Sequence, residues 1–209
     1  MSPTLPRGLY AITPDWNNTE QLLAAVSAVL DGGAKVLQYR NKRADKHLRR
    51  EQAGALLALC RPRGVPLIIN DHLDLAEAID ADGLHLGGDD GALAEARAVL
   101  GPAKHLGASC YNQLLLAETA LAEGASYVAF GAAYVSGTKP DAVQAPLALY
   151  KAATTSLPCP VVAIGGITPA NAGVLLAAGV GNLAVIGALF DAAAPSERAA
   201  EFSRLWPAA

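Results

Sequence analysis

Short apolar runs alternate along this chain with longer amphipathic segments rich in Ala and Leu. The runs are Gly8–Thr13, Ala34–Arg40, Pro66–Asp71, Gly83–Gly87, His105–Cys110, Tyr127–Gly131, Pro160–Gly165 and Asn182–Gly187. Most are near-continuously hydrophobic, the pattern of strands buried on both faces of a parallel sheet. Helical periodicity predicts helices over Glu20–Leu30, Asp45–Arg61, Leu73–Ile79, Leu93–Leu100, Gln113–Glu123, Leu147–Thr155, Pro169–Ala178 and Ser196–Trp206. Glycines at Asp31-Gly32-Gly33, Glu123-Gly124 and Ala178-Gly179 mark helix ends.

Parallel strands need crossovers, and eight strand–helix units close into a (β/α)8 TIM barrel of the α/β class. An open doubly wound sheet is the competing arrangement. It would carry G-x-G-x-x-G after its first strand, whereas here the glycine-rich features follow the seventh and eighth runs. The length leads us to expect one domain over residues 1–209. The longest stretch without periodicity is Ala132–Ala145, and loops of that length in compact domains are usually functional.

Composition narrows the function classes. With 52% hydrophobic and 17% charged residues the chain has ample material for a core, which excludes disorder. A net charge of −3 signals no basic face, so nucleic acid is not an expected partner. Cys60, Cys110 and Cys159 are too widely spaced for a disulfide framework or a zinc site. Neither a signal peptide nor a membrane span is evident in the apolar stretches. These features together lead us to expect a cytoplasmic protein with small-molecule partners; a homo-oligomer is left open.

In a barrel, chemistry sits at the C-terminal ends of the strands. Those ends carry Gln38-Tyr39-Arg40-Asn41-Lys42, Asn70-Asp71, Gly87-Gly88-Asp89-Asp90, Ser109, the group Ser136, Thr138 and Lys139, then Gly165-Gly166 and Ile186-Gly187. Arg40, Lys42 and Lys139 would together bind a polyanion such as diphosphate, Arg in bidentate fashion and Lys as point charges. Taken singly, the lysines also read as solvated loop charges. Strand alternation puts Gln38 and Arg40 on one face. Asp71 and Asp90 beside cations suggest Mg²⁺, which takes one or two carboxylates plus phosphate oxygens and water. They also read as caps of the helices that follow, and Asp89 rivals Asp90. Backbone N–H groups at Gly165-Gly166 and Ile186-Gly187 would suit a phosphate, or the glycines serve only the turn. His85, between Leu84 and Leu86, reads as a packed, hydrogen-bonded core residue. Cys110 has no base partner, so nucleophilic catalysis is unsupported.

As a set, these residues resemble the thiamine-phosphate synthase family. The matching segments are Gly8–Thr13, Gln38–Lys42, Ile69-Asn70-Asp71, His85-Leu86-Gly87 with Asp90, Gly107-Ala108-Ser109, Phe130-Gly131, Ser136-Gly137-Thr138-Lys139-Pro140 and Ala163–Ile167. They occur in order over nearly the whole chain. The resemblance implies that Gln38, Tyr39, Arg40, Asn41, Lys42 and Asn70 bind a pyrimidine diphosphate. It implies Mg²⁺ on Asp71 and Asp90, with Ser109 and Lys139 on the pyrimidine substrate or its diphosphate. It also implies that Ser136, Gly137, Thr138, Gly166, Ile186 and Gly187 bind a thiazole phosphate. Gln38, Arg40, Lys42, Ser109 and Lys139 are the expected catalytic residues. The implied reaction joins the two rings and releases diphosphate by a dissociative path. The chain departs from the family pattern at Gly88-Asp89, Ser136, Ala132, Ala133 and Gly187. A thiazole tautomerase of the same fold is an alternative, but it would carry a histidine where this chain has Tyr111. A non-catalytic phosphate-binding barrel is another.

Overall fold

The computed structural model describes residues 3–88, 92–135 and 143–206. Eight parallel strands close into a barrel in sequence order. They are β1 (Gly8–Ile12), β2 (Val36–Tyr39), β3 (Leu67–Asn70), β4 (Gly83–Leu86), β5 (His105–Ser109), β6 (Tyr127–Phe130), β7 (Val161–Ile164) and β8 (Asn182–Val185). The ring closes through β1 and β8, with Gly8 opposite Asn182 and Ala11 opposite Val185. The open doubly wound sheet is therefore excluded.

The helices are α1 (Thr19–Asp31), α2 (Lys46–Cys60), α3 (Leu73–Ala78), α4 (Leu93–Leu100), α5 (Leu114–Ala122), α6 (Leu147–Ser156), α7 (Gly173–Ala177), α8 (Gly187–Phe190) and α9 (Pro195–Ser203). The two longest start on side-chain caps: Asn18 accepts the Gln21 N–H and Asp45 the Leu48 N–H. Two elements differ from the sequence expectation. The helix expected from Pro169 begins only at Gly173, because Asn171 organises a turn before it. Its Oδ1 accepts the Thr168 N–H at 2.8 Å and its Nδ2 donates to the Gly166 carbonyl at 3.0 Å. The four-residue α8 follows β8 directly, and so short an element leaves no periodic signal. No helix among the described residues is long and apolar enough to cross a membrane.

Strand alternation sorts the apolar residues into two layers. Tyr10, Ile12, Val36, Ile68, Tyr127, Ala129, Val162 and Ala184 fill the barrel interior, with Leu5 packed among them. Leu9, Leu37, Ile69 and Val128 face outward, in one cluster with helix residues such as Val26, Leu56 and Phe202. Two tyrosines crowd the interior, and Gly107 makes room for Tyr127 and His85. A Cβ there would lie 2.1 Å from Cζ of Tyr127 and 2.5 Å from Nδ1 of His85. Gly107→Ala is therefore expected to destabilise the barrel by about 1–3 kcal/mol through overpacking. A thermal melt checks this; an unchanged midpoint would mean that Tyr127 has somewhere else to go.

Candidate active site at the carboxyl rim

A polar chain crosses the barrel just beneath the rim. Gln38 Nε2 donates to the Tyr10 hydroxyl at 2.9 Å, and that hydroxyl lies 2.9 Å from the Tyr127 hydroxyl. The Tyr127 hydroxyl is 3.1 Å from His85 Nδ1, and His85 Nε2 is 3.0 Å from Ser109 Oγ. Five strands contribute one residue each. Burial pushes both phenols above the usual tyrosine range, so each keeps its single proton. Gln38 donates into this chain, and its far end is the Ser109 hydroxyl. His85 is packed and hydrogen-bonded as expected, and it also supports a site residue. Tyr127→Phe breaks this chain at its centre. It is expected to cost about 1–3 kcal/mol of stability by leaving buried partners unsatisfied. It should also lower turnover while leaving Ser109 in place. Chemical denaturation beside steady-state rates tests both.

Above this layer, β2 delivers the charges. The Arg40 guanidinium sits 3.0 Å from Asp15 Oδ1, the same oxygen that accepts the Lys42 backbone N–H at 3.0 Å. Thr13, fully buried, holds the Arg40 backbone by accepting its N–H and donating to its carbonyl, both at 2.9 Å. Lys42 Nζ stands 3.7 Å from Asp71 Oδ2, and Asn70 Nδ2 donates to that oxygen at 2.6 Å. Arg40 and Lys42 are thus linked through Asp15, while Lys42, Asn70 and Asp71 meet at one carboxylate.

Asp71 is not the cap of α3: His72 takes the N-cap position, without a side-chain cap hydrogen bond. Asp71 adopts a left-handed φ of +64°, which Asp tolerates better than most residues. The N-cap position of α4 is Ala92. Asp90, like Ser136, Gly137, Thr138 and Lys139, lies outside the described residues, and so does Asp89. Among the described residues no group of three or more His, Cys, Asp and Glu is arranged to hold a metal.

Two expected substrate-binding side chains point elsewhere. Tyr39 alternates outward from Gln38 and donates to Gln52 Oε1 of α2 at 2.8 Å. Asn41 donates to the Trp16 carbonyl and to Gln52, and its Oδ1 accepts the N–H groups of Arg43 and Ala44. With their polar groups engaged there, both side chains brace the β2 rim against α2.

The opposite side of the rim is built from backbone. Gly165 and Gly166 both have positive φ, +103° and +61°. A Cβ on Gly166 would lie 2.6 Å from the Val135 carbonyl oxygen, so glycine is needed for this close approach. The segment after β6 is pinned at both shoulders. Ala133 and Tyr134 donate N–H groups to the Ile164 and Gly165 carbonyls, while Ala132 pairs with Val143 and Ala145. Ile186 is the N-cap of α8, which begins at Gly187. A short helix after β8 is where barrels often seat a phosphate. Cys110 is buried, and that burial pushes its thiol up to about 12, which leaves no thiolate for nucleophilic work.

Tyr10, Thr13, Asp15 and Tyr127 hydrogen-bond the candidate residues or their partners, and sequence reasoning did not single them out. Thr13 and Asp15 follow β1 directly, and the strand-end rule applied to the first strand would have found them. The tyrosines sit inside apolar runs and carry no signal beyond packing.

Comparison with known proteins agrees over nearly the whole chain. The profile of the family described as thiamine monophosphate synthase matches residues 9–189. A thiamine-phosphate synthase of Thiobacillus denitrificans is 54% identical over 205 residues, covering 98% of this chain and 97% of its own. One from Methylobacillus flagellatus is 56% identical over 200 residues, covering 96% and 95%. The solved thiamine phosphate pyrophosphorylase of Pyrococcus furiosus superposes with a TM-score of 0.86 at 33% identity, covering 95% of this chain and 94% of its own.

Proposed function

Because the chain belongs to the thiamine monophosphate synthase family, we propose that it joins an aminopyrimidine carrying a CH₂–diphosphate to a thiazole phosphate. The products are thiamine phosphate and diphosphate. The observation that carries this reading is the rim cluster of Arg40, Lys42, Asn70 and Asp71 beside the chain that ends on Ser109.

The C–O bond to diphosphate breaks with both electrons leaving on oxygen. The electron-rich pyrimidine spreads the positive charge left on carbon, and the thiazole nitrogen supplies the pair for the new C–N bond. Arg40, Lys42 and Lys139 neutralise the departing charge, and the Ser109 hydroxyl is a further donor available to it. Asp15 keeps the Arg40 guanidinium in one orientation. Gln38 and the interior tyrosines form the floor beneath the pyrimidine. No enzymic nucleophile is required.

A single carboxylate set among a lysine and an amide matches what Mg²⁺ takes when phosphate oxygens and water complete its shell. Asp71 and Asp90 would hold it, and it would stabilise negative charge on the diphosphate. The thiazole phosphate falls to the Gly166 side: backbone N–H groups there and at Ile186-Gly187, with Ser136, Gly137 and Thr138. The protein works on small molecules in the cytoplasm.

The test is diphosphate release with both substrates, with each omitted in turn, and with Mg²⁺ chelated. Release only in the complete, Mg²⁺-containing mixture supports the reading. Equal release without the thiazole phosphate would reduce it to a hydrolase.

A further inference from the structure

Helix α2 buries a stripe made of Gln52, Ala53, Leu56, Leu57 and Cys60. One member of that stripe is an amide, and it is fully buried. An apolar side chain would fill the space without the cost of taking a polar group out of water. The Gln52 amide is engaged at both ends instead. Its Oε1 accepts the Tyr39 hydroxyl at 2.8 Å and Asn41 Nδ2 at 3.1 Å, and its Nε2 donates to the Trp16 carbonyl at 2.9 Å. Asn41 Nδ2 donates to the same carbonyl at 3.0 Å. Gln52, Asn41 and the Trp16 carbonyl thus close a triangle of hydrogen bonds.

Sequence position gives the triangle its consequence. Trp16 directly follows Asp15, and Asn41 stands between Arg40 and Lys42. Asp15 Oδ1 joins the same two segments again, accepting the Arg40 guanidinium and the Lys42 N–H, both at 3.0 Å. The segments that follow β1 and β2 are therefore tied twice, once through the carboxylate and once through the triangle. Gln52 is the one member of the triangle that belongs to neither segment, so α2 supplies the reference to which both are held. The Trp16 ring is fixed as well, edge-on to Phe190 of α8 with centroids 6.1 Å apart.

We infer that Gln52 is a positioning residue: from its buried place in α2 it holds the segments after β1 and β2 at one spacing, and so keeps Asp15, Arg40 and Lys42 aligned for diphosphate. This rests on the diphosphate reading of the rim given above. Gln52 is shut away from solvent, so it acts through Trp16 and Asn41 and touches no substrate.

The test compares Gln52→Met, which keeps the bulk and removes the three hydrogen bonds, with the double variant Tyr39→Phe/Gln52→Met. Thermal melts are run beside calorimetric titration with inorganic diphosphate in excess Mg²⁺. Gln52→Met is expected to melt about 2–6 °C earlier and to bind diphosphate about 3- to 10-fold more weakly, the fold-change equivalent of one hydrogen bond. The double variant no longer buries an unpartnered Tyr39 hydroxyl, so it should regain much of the lost stability. Its diphosphate binding should stay weakened, because the triangle is still open; should Gln52→Met fail to fold, this variant carries the test. Added to Asp15→Asn, the Gln52 change should cost less than it does in the wild-type background, since the carboxylate it aligns is gone. Ser203→Ala, which removes a hydrogen bond to the Gly32 carbonyl between α9 and the end of α1, should leave diphosphate binding unchanged. Wild-type affinity in the Gln52 variants would overturn the inference. So would binding that recovers together with stability in the double variant, a fully additive loss with Asp15→Asn, or equal weakening in Ser203→Ala. Absence of diphosphate binding by the wild-type protein would instead overturn the diphosphate reading, and the role of Gln52 would fall with it.

Discussion

Asp71→Asn is expected to lower kcat/KM by about 10²–10³-fold, since a metal's stabilisation of leaving-group charge amounts to several kcal/mol. Stability should barely change, and the reason lies in the backbone. Asp71 has φ +64°, a conformation that Asn also tolerates. Asparagine keeps the shape and removes only the charge that faces Lys42 and Asn70. Asp71→Ala would add a conformational cost of about 1 kcal/mol because alanine resists the left-handed region. Comparing the two variants separates chemistry from folding. Both should lose activity, and only the alanine variant should melt earlier. Wild-type rates for Asp71→Asn at limiting Mg²⁺ would remove Asp71 from the list of metal ligands.

Arg40→Ala should cost about 10²-fold in kcat/KM, near the lower end for deleting one preorganised donor at a developing negative charge. Two groups depend on that guanidinium. The departing diphosphate loses a fork of N–H donors, and Asp15 loses its cation at 3.0 Å. An unpaired Asp15 would then repel the incoming diphosphate. Removing it as well, in Arg40→Ala/Asp15→Ala, should recover part of the binding loss but little of the turnover. Arg40→Lys should stay well below wild type, because an ammonium lacks the planar fork. Equal activity of the Lys variant would show that charge alone is used there. Steady-state rates over a range of pyrimidine diphosphate concentrations distinguish these outcomes.

The barrel was legible because each strand is buried on both faces. Burial on the inner and outer sides makes runs such as Leu67–Asn70 and Val161–Ile164 almost wholly apolar, and such runs stand out against amphipathic helices. The rim charges were legible for the complementary reason: Arg40, Lys42 and Asp71 break the pattern where a run ends. Other features obey the pattern and so were hidden. Tyr10 and Tyr127 occupy inward positions that any large apolar residue would satisfy, and only their meeting across the barrel reveals a polar chain. His85 read as packing, and it also bridges Tyr127 and Ser109 by hydrogen bonds. Tyr39 and Asn41 stood in the right segment for the site, but alternation and the engagement of Gln52 turn their side chains to α2. Asp15 escaped notice because its partner Arg40 is 25 residues away in sequence. The four-residue α8 is too short for periodicity to show.

Joining two substrates is the central claim, and stoichiometry tests it most directly. The protein is incubated first with the thiazole phosphate alone, and exchange of its ring protons with solvent is followed. Pyrimidine diphosphate and Mg²⁺ are then added, and thiamine phosphate and diphosphate are quantified together by mass spectrometry and an enzymatic diphosphate assay. The expected result is no exchange above background in the first step and one thiamine phosphate per diphosphate in the second. A tautomerase needs a base beside the thiazole ring, and this chain carries Tyr111 where the tautomerase histidine would stand. Rapid exchange in the first step with no diphosphate released in the second would contradict the synthase reading and leave only the barrel standing.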